Sequence, residues 1–384
     1  MKFETRAIHA GQLPDPTTGA VIVPVYQTST FAQDGLGVHK GYEYSRSGNP
    51  TRFALEQAVA SLEEGKFGLA FASGLAATAA VLNLFQSGDN IVVGDDLYGG
   101  TYRLFEKVYK KFGITPTFVD FDDLAAFKKA IQPNTKMVWI ETPTNPLLKL
   151  IDIQALAKIT KKAGVLLAVD NTFASPYFQK PLLLGADIVV HSTTKYIAGH
   201  SDLIGGAIVV NNEEMYQQLK FYQNATGAVP GPWDCWLAIR GLRTLSVRMR
   251  EHDHNGRYLA AFLNTHPKVK KVYYPGLTDH PQHKLAKKQM GGFGGMISIE
   301  LKGGLKAVEA FVKELRIFRL GESLGGVESL MTYPAKMSHG SVPREERLAR
   351  GITDEFLRIS VGIENKEDLK EDLARALKAI GKRP

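Results

Sequence analysis

The sequence predicts an α/β protein in three parts. These are an extended N-terminal arm, a large unit with a mostly parallel sheet wrapped by helices, and a smaller C-terminal α/β unit. Three observations predict it. From about residue 51, short and nearly continuous apolar runs alternate with segments of helical period, the pattern of parallel strands covered on both faces. Beyond about residue 245 that regular alternation changes character. The first 45 or so residues show no strong period and carry Pro14, Pro16, Gly19 and Pro24, as an arm lying on a neighbouring subunit does. The expected divisions are therefore 1–45, 46–245 and 246–384.

Within the large unit, TRFALEQAVASLEEG has helical spacing and a glycine stop. GLAFAS reads as a strand and GLAATAAVLNLFQSG as the helix after it. The strands that follow are NIVVGDD, TPTFVD, KMVWIETPTN, VLLAVDNT, ADIVVHST and GAIVVNN. Helical segments between them are GTYRLFEKVYKKFG, DLAAFKKAIQ and DIQALAKITKKAG. In the smaller unit, RYLAAFLNTH, KAVEAFVKEL and KEDLKEDLARALKAIG read as helices, and KKVYYPG, GGMISIEL and FLRISVGI as strands.

Composition narrows the class. With 44% hydrophobic and 22% charged residues over 384 positions, the chain has the make-up of an ordinary globular protein. No stretch approaches the roughly 20 apolar residues that span a bilayer, and MKFETRAIHAGQLPDP lacks the apolar core of a signal peptide. Cys235 is the single cysteine, which excludes an intramolecular disulfide and a Cys-rich metal site. A cytoplasmic protein without membrane attachment is expected. The net charge of +8 comes from basic residues spread along the chain, with no aromatic-interleaved stripe, so nucleic acid is not the expected partner. The densest basic stretch, HPKVKKVYY, reads as a solvated turn and strand edge. The HDH stretch at 252–254 lacks the spacing of a metal site.

Chemistry is concentrated at strand ends, where open parallel sheets bind ligands. Four strands end in Asp95-Asp96, in Glu141 to Asn145, in Asp170-Asn171-Thr172 and in Ser192-Thr193-Thr194-Lys195. A lysine desolvated in such a crevice has a lowered pKa and attacks carbonyls to form a Schiff base. Around it, Ser192 and Thr194 are hydroxyl donors for a phosphate, and Gly199 allows close backbone approach. Pyridoxal 5′-phosphate requires that lysine and an acid for its pyridinium nitrogen; Asp170 fits the second role, though a lone Asp after a strand also serves as a turn cap. Ser73, Gly74 and Leu75, between a strand and a helix, suit a phosphate. The glycine fingerprints of nicotinamide enzymes and of P-loop ATPases are absent.

Taken together, HAGQ, YEYSRSGNPTR, FASGLAA, DDLYGGTYR, ETPTNPLLK, VDNTFASPY, ADIVVHSTTKYIAGHSD, GESLGGVESL and ITDEFLRISVGIE resemble the Cys/Met-metabolism family of fold-type I pyridoxal-phosphate enzymes nearly end to end. The resemblance implies that Lys195 carries the cofactor and moves protons, and that Asp170 keeps the pyridine nitrogen protonated. It implies that Tyr98 stacks on the ring and assists proton transfer. Gly74, Leu75, Ser192 and Thr194 would bind phosphate, with Tyr44 and Arg46 reaching it from a neighbouring subunit. Arg358 would clamp the substrate α-carboxylate with Asn145 and Ser323, while Arg103 and Glu322 would meet the distal part. Bland alternatives exist for several: core packing for Tyr98, surface pairing for Arg46, solvation for Arg103 and an edge-strand position for Arg358. Within the family the likeness is to the γ-lyase and γ-synthase branches, which implies a sulfur amino acid substrate and a tetramer built as a dimer of active dimers. Gly100, where methionine γ-lyases usually carry Cys, argues against that activity, and Ser338 stands where many relatives have Thr.

Overall fold

Runs rich in valine and isoleucine make the middle of the large sheet, and cover on both faces lets them be apolar throughout. The chain is described here by a computed structural model for residues 1–340 and 342–381. Its first seven strands are β1 (Phe67–Phe71), β2 (Asn90–Gly94), β3 (Thr115–Val119), β4 (Thr135–Glu141), β5 (Leu166–Asp170), β6 (Ile188–Ser192) and β7 (Gly206–Val210). They lie in the order β1-β7-β6-β5-β4-β2-β3. From β6 to β3 every neighbouring pair is parallel, whereas β7 runs antiparallel to both β6 and β1.

Helices cover both faces. Pro50–Leu62 starts where Asn49 caps the N–H groups of Thr51 and Arg52, and it buries Leu55, Val59 and Leu62 beneath β1 and β7. Gly74–Leu82 packs on the opposite face against β6 and β7. Ile153–Ala163 is capped by Asp152 and stopped by Gly164 in the left-handed region. A second sheet contains β8 (Val269–Tyr273), β9 (Met296–Leu301), β10 (Arg319–Leu320), β11 (Leu330–Thr332) and β12 (Phe356–Ser360), in the order β10-β11-β12-β9-β8. The 20-residue helix Leu245–Asn264 joins the two cores, with Leu245 and Met249 in the first and Leu259 and Leu263 in the second.

Several sequence expectations change. Within the expected arm, Phe3–His9 is a helix whose Ala7 is buried in the main core, and Arg6 donates to Ser61 O at 2.8 Å. Beyond it, residues 10–49 form only isolated bridges. The segment after Tyr98 is helical but not uniform: Gly99–Arg103 is α, Leu104–Val108 is π and Tyr109–Phe112 is 3₁₀. RYLAAFLNTH lies in the second half of the longer helix that starts at Leu245. Among the described residues, helices that carried no expectation include Ser175–Phe178, Glu213–Thr226, Pro232–Leu242, His283–Gln289 and Arg344–Ala349. The basic stretch around Lys270 forms β8, an edge strand. His252 is fully buried with its Nδ1 2.8 Å from Val361 O, and burial lowers its pKa to about 4, which makes it a core histidine. Among the described residues no helix is long and apolar enough to cross a membrane.

Candidate active site

One cavity of about 640 Å³ opens at the carboxyl ends of β1, β4, β5 and β6. Strand order explains why it lies there. The segments after β1 and β6 flank β7, and the strand ends of β5 and β4 follow in sequence across the sheet. Ser73, Gly74, Leu75, Tyr98, Asn145, Asp170, Ser192, Thr194, Lys195, Glu322, Ser323 and Arg358 all line it.

At the β1 end, Ser73 Oγ accepts from Ala76 N at 3.0 Å and starts the helix Gly74–Leu82. Gly74 and Leu75, whose amides are not capped by Ser73, line the cavity at the positive end of the helix dipole. A side chain at Gly74 would meet Ser192, since its Cβ would lie 2.9 Å from that residue's Cβ. Gly206 is tighter still, with a notional Cβ 2.2 Å from Ser73 O. Two glycines thus keep open a concave, amide-lined floor. Thr194 Oγ1 is within 3.2 Å of Gly205 O and accepts from Gly205 N at 2.9 Å, which fixes the loop beneath Lys195.

Lys195 Nζ donates to Ser323 Oγ at 2.8 Å. Burial and the charge of Arg358 lower its pKa to about 8, against an opposing pull from Glu322. Ser323 has φ +84°, a left-handed conformation uncommon for a residue with a side chain. Asp170 caps its own turn by accepting from Thr172 N at 3.0 Å. Burial raises its pKa, opposed by the hydroxyl and amide of Thr172 and by His191. Both expected roles of Asp170, turn cap and cavity acid, are geometrically compatible. The atoms nearest Gly199 are those of the Arg248 guanidinium, with Nη1 2.1 Å from a notional Cβ.

Arg358 is 2% exposed and sits on β12, an interior strand of the second sheet rather than an edge. Its Nη1 donates to Asn145 Oδ1 at 2.9 Å, and its Nη2 donates to Ser323 O at 2.8 Å and Thr332 Oγ1 at 3.1 Å. No described ion pair includes it, and Nε has no partner. Burial lowers its pKa to about 10. A buried guanidinium oriented by neutral acceptors is prepared for a carboxylate.

Three expected residues lie elsewhere. Tyr44 is 45% exposed, and Arg46 donates to Asn224 O at 2.9 Å, outside the cavity. Arg103, at the end of the helix Gly99–Arg103, is exposed and does not line the cavity. Residues without an assigned role do line it, among them Glu141, Ser201, Glu328 and Ser338. Glu141 belonged to a polar strand end, but nothing in its residue type revealed that its side chain would hold the backbone of Tyr98. Burial, with Asp170 and Asp96 nearby, pushes the Glu141 carboxyl well above the usual range. Ser201 donates to Glu328, a contact between loops 127 residues apart.

A family model described as Cys/Met metabolism PLP-dependent enzyme matches residues 4–378. The chain belongs to the Cys/Met metabolism PLP-dependent enzyme family. A cystathionine gamma-lyase of Bacillus subtilis (strain 168) is 56% identical to this family member over 99% of this chain and 100% of the relative. A cystathionine beta-lyase of Coxiella burnetii is also 56% identical, covering 98% of this chain and 97% of the relative. The crystal structure of cystathionine gamma synthase from Xanthomonas oryzae pv. oryzae in complex with cystathionine has a TM-score of 0.97 at 48% identity, covering 99% and 98% of the two chains. Membership implies an enzyme with a pyridoxal phosphate cofactor. The cavity fits that group: it offers a desolvated amine at Lys195, a buried acid at Asp170 and a glycine-opened amide floor where a side chain would clash.

Proposed function

We propose that this enzyme is a cystathionine γ-lyase, which converts L-cystathionine and water to cysteine, 2-oxobutanoate and ammonia. The observation that carries the reading is that one cavity holds both a desolvated Lys195 and a buried Arg358 without a carboxylate. Lys195 would hold the cofactor, Asp170 its ring nitrogen, and Tyr98 one ring face. Ser73, Gly74, Leu75, Ser192 and Thr194 would hold its phosphate. When bound, pyridoxal 5′-phosphate supplies a sink for the electrons of the substrate's Cα–H bond.

The chain's own residues do the rest. Arg358 takes the α-carboxylate through a fork oriented by Asn145 and the Ser323 carbonyl, which fixes the Cα–H bond toward Lys195. Lys195 Nζ, with a pKa of about 8 in the cofactor-free cavity, sits near the operating range of a general base. It would take the proton from Cα, give that proton up, and as the free amine again take one from Cβ. Tyr98 donates its hydroxyl proton to the departing sulfur. Glu322 lines the cavity, and its carboxylate is the group we assign to the distal ammonium of the substrate; Arg103 lies outside.

The likeness to γ-synthases favours a second reading, in which cysteine replaces the acyl group of an O-acylhomoserine through the same residues. Parallel assays separate them. Release of 2-oxobutanoate and cysteine from cystathionine supports the lyase. Faster formation of cystathionine from O-succinylhomoserine and cysteine supports the synthase, and pyruvate with homocysteine would overturn both.

We further propose a homotetramer of two active dimers, in which Tyr44 and Arg46 complete the phosphate site of the neighbouring copy. Their position outside their own cavity supports this, as does the exposed apolar surface of Leu36, Val38, Phe221 and Trp233. Mixing Lys195→Ala with Arg46→Ala chains should restore part of the activity that each lacks alone. A monodisperse active monomer in light scattering would refute the assembly. Its one cysteine, buried and reduced, suits the cytoplasm, where we place it.

A further inference from the structure

Arg248 is a buried cation outside the cavity. It is 3% exposed, lies in the first turn of the helix Leu245–Asn264, and pairs with no described carboxylate. A lone buried guanidinium costs free energy unless its donors are engaged, and here all three nitrogens donate. Nη1 donates to Tyr196 O at 2.7 Å, and Nη2 donates to Ile197 O at 3.2 Å and Gly241 O at 2.8 Å. Nε donates to Thr244 Oγ1 at 3.1 Å. Gly241 belongs to the last turn of the helix Pro232–Leu242, whose carbonyl end favours a cation.

The two other carbonyls belong to the residues directly after Lys195. That turn is closed by Lys195 N to Ser192 O at 3.2 Å, Ala198 N to Thr193 O at 2.9 Å and Gly199 N to Lys195 O at 2.8 Å. Gly199 ends it at φ +72°, and any side chain there would occupy the space of the guanidinium. A rigid two-pronged donor and a glycine that admits it therefore meet on the outer side of the lysine turn.

We propose that Arg248 is a positioning residue for Lys195: its fork fixes the Tyr196 and Ile197 carbonyls and so the direction in which Lys195 enters the cavity. Gly199 is conformationally suited to this turn and sterically necessary for it. The proposal rests on the reading of Lys195 as the cofactor lysine.

Two full-length variants test it from opposite sides. Arg248→Lys keeps the charge and loses the fork, and Gly199→Ala keeps the guanidinium and displaces it. Each is compared with the wild type for amide hydrogen exchange at residues 198 and 199 without cofactor, for affinity toward pyridoxal 5′-phosphate, and for the pH at which the absorbance band of the bound cofactor titrates. Exchange should be faster by about tenfold in both variants. Affinity should fall by about tenfold, and the titration midpoint should move by about half a unit. Wild-type exchange and an unmoved midpoint, with only a lower melting temperature, would overturn the proposal and leave Arg248 a packing residue. If Arg248→Lys does not fold, Gly199→Ala and Thr244→Val, which removes only the hydroxyl orienting Nε, decide in the same measurements. Borohydride reduction and peptide mapping separate the parent reading: a label away from Lys195 refutes the cofactor assignment, whereas a label on Lys195 with unchanged variants refutes the positioning role alone.

Discussion

Glu141 Oε2 accepts the main-chain N–H of Tyr98 at 3.0 Å. The end of β4 thereby holds the loop after β2, and the acid stands level with Asp170 on the next strand. Removing the acceptor would leave a buried donor unsatisfied, at a cost of about 1–3 kcal/mol. Glu141→Ala should therefore lower kcat for cystathionine cleavage by about 10- to 100-fold, and Glu141→Gln, which keeps an acceptor, should lose less. Steady-state kinetics on the two variants check the order; equal losses would point to the acid's charge instead.

Gly100 gives the ring of Tyr98 its place. A Cβ there would come within 2.4 Å of Tyr98 Cε1, closer than real contacts allow, so Gly100→Cys should turn the ring from the cavity. The expected result is a kcat reduced by about tenfold at near-wild-type melting temperature, measured on cofactor-loaded protein.

Arg358→Lys keeps a positive charge but cannot satisfy Asn145, Thr332 and a substrate carboxylate together. A loss of about 100-fold in kcat/KM is expected. Most should appear in KM if the fork acts in binding alone, and in kcat as well if it also directs the Cα–H bond. A variant with unchanged kcat/KM would remove Arg358 from substrate binding.

Lys195 titrates near 8 in the cofactor-free chain against 10.5 for an ordinary lysine. Between those two values the unfolded chain holds a proton that the folded chain lacks, so stability rises with pH across that window. Below pH 8 the folded state carries the full cost of the buried charge. Lys195→Met should thus stabilise the cofactor-free protein at pH 7, by up to about 3 kcal/mol, and the gain should shrink toward pH 10.5. Urea unfolding at pH 7 and pH 10 checks it; a pH-independent difference would assign the effect to packing.

The strands of the large sheet were legible because burial on both faces imposes unbroken apolar runs such as Ile188–Val190 and Ile91–Val93. What escaped notice lacks such constraint. The helix Glu213–Thr226 buries only Leu219 and Gln223, so its period is faint. The helix Phe3–His9 buries Ala7 alone, and β10 has two exposed residues. At the cavity, Lys195 and Asp170 could be picked out because titratable groups at strand ends are chemically conspicuous, whereas Arg358, in the middle of β12, was marked by the family resemblance alone. The roles of Glu141 and Arg248 could not, since each acts on backbone atoms far along the chain: the partner of Glu141 is 43 residues earlier, and those of Arg248 include carbonyls 52 and 51 residues earlier. Backbone groups leave no residue-type signature. Arg103, singled out by motif, sits on the expected helix but does not line the cavity.

The reversed strand β7 ties together two segments that are far apart in the chain. Gly205, just before it, supports Thr194 on one side, and its first residue, Gly206, passes beneath Ser73 on the other. Lys195 meets Ser323 only after a further 128 residues have been made. Neighbouring strands of one sheet thus join the Ser73 and Thr194 sides of the cavity, whereas the partner of its lysine comes from far downstream.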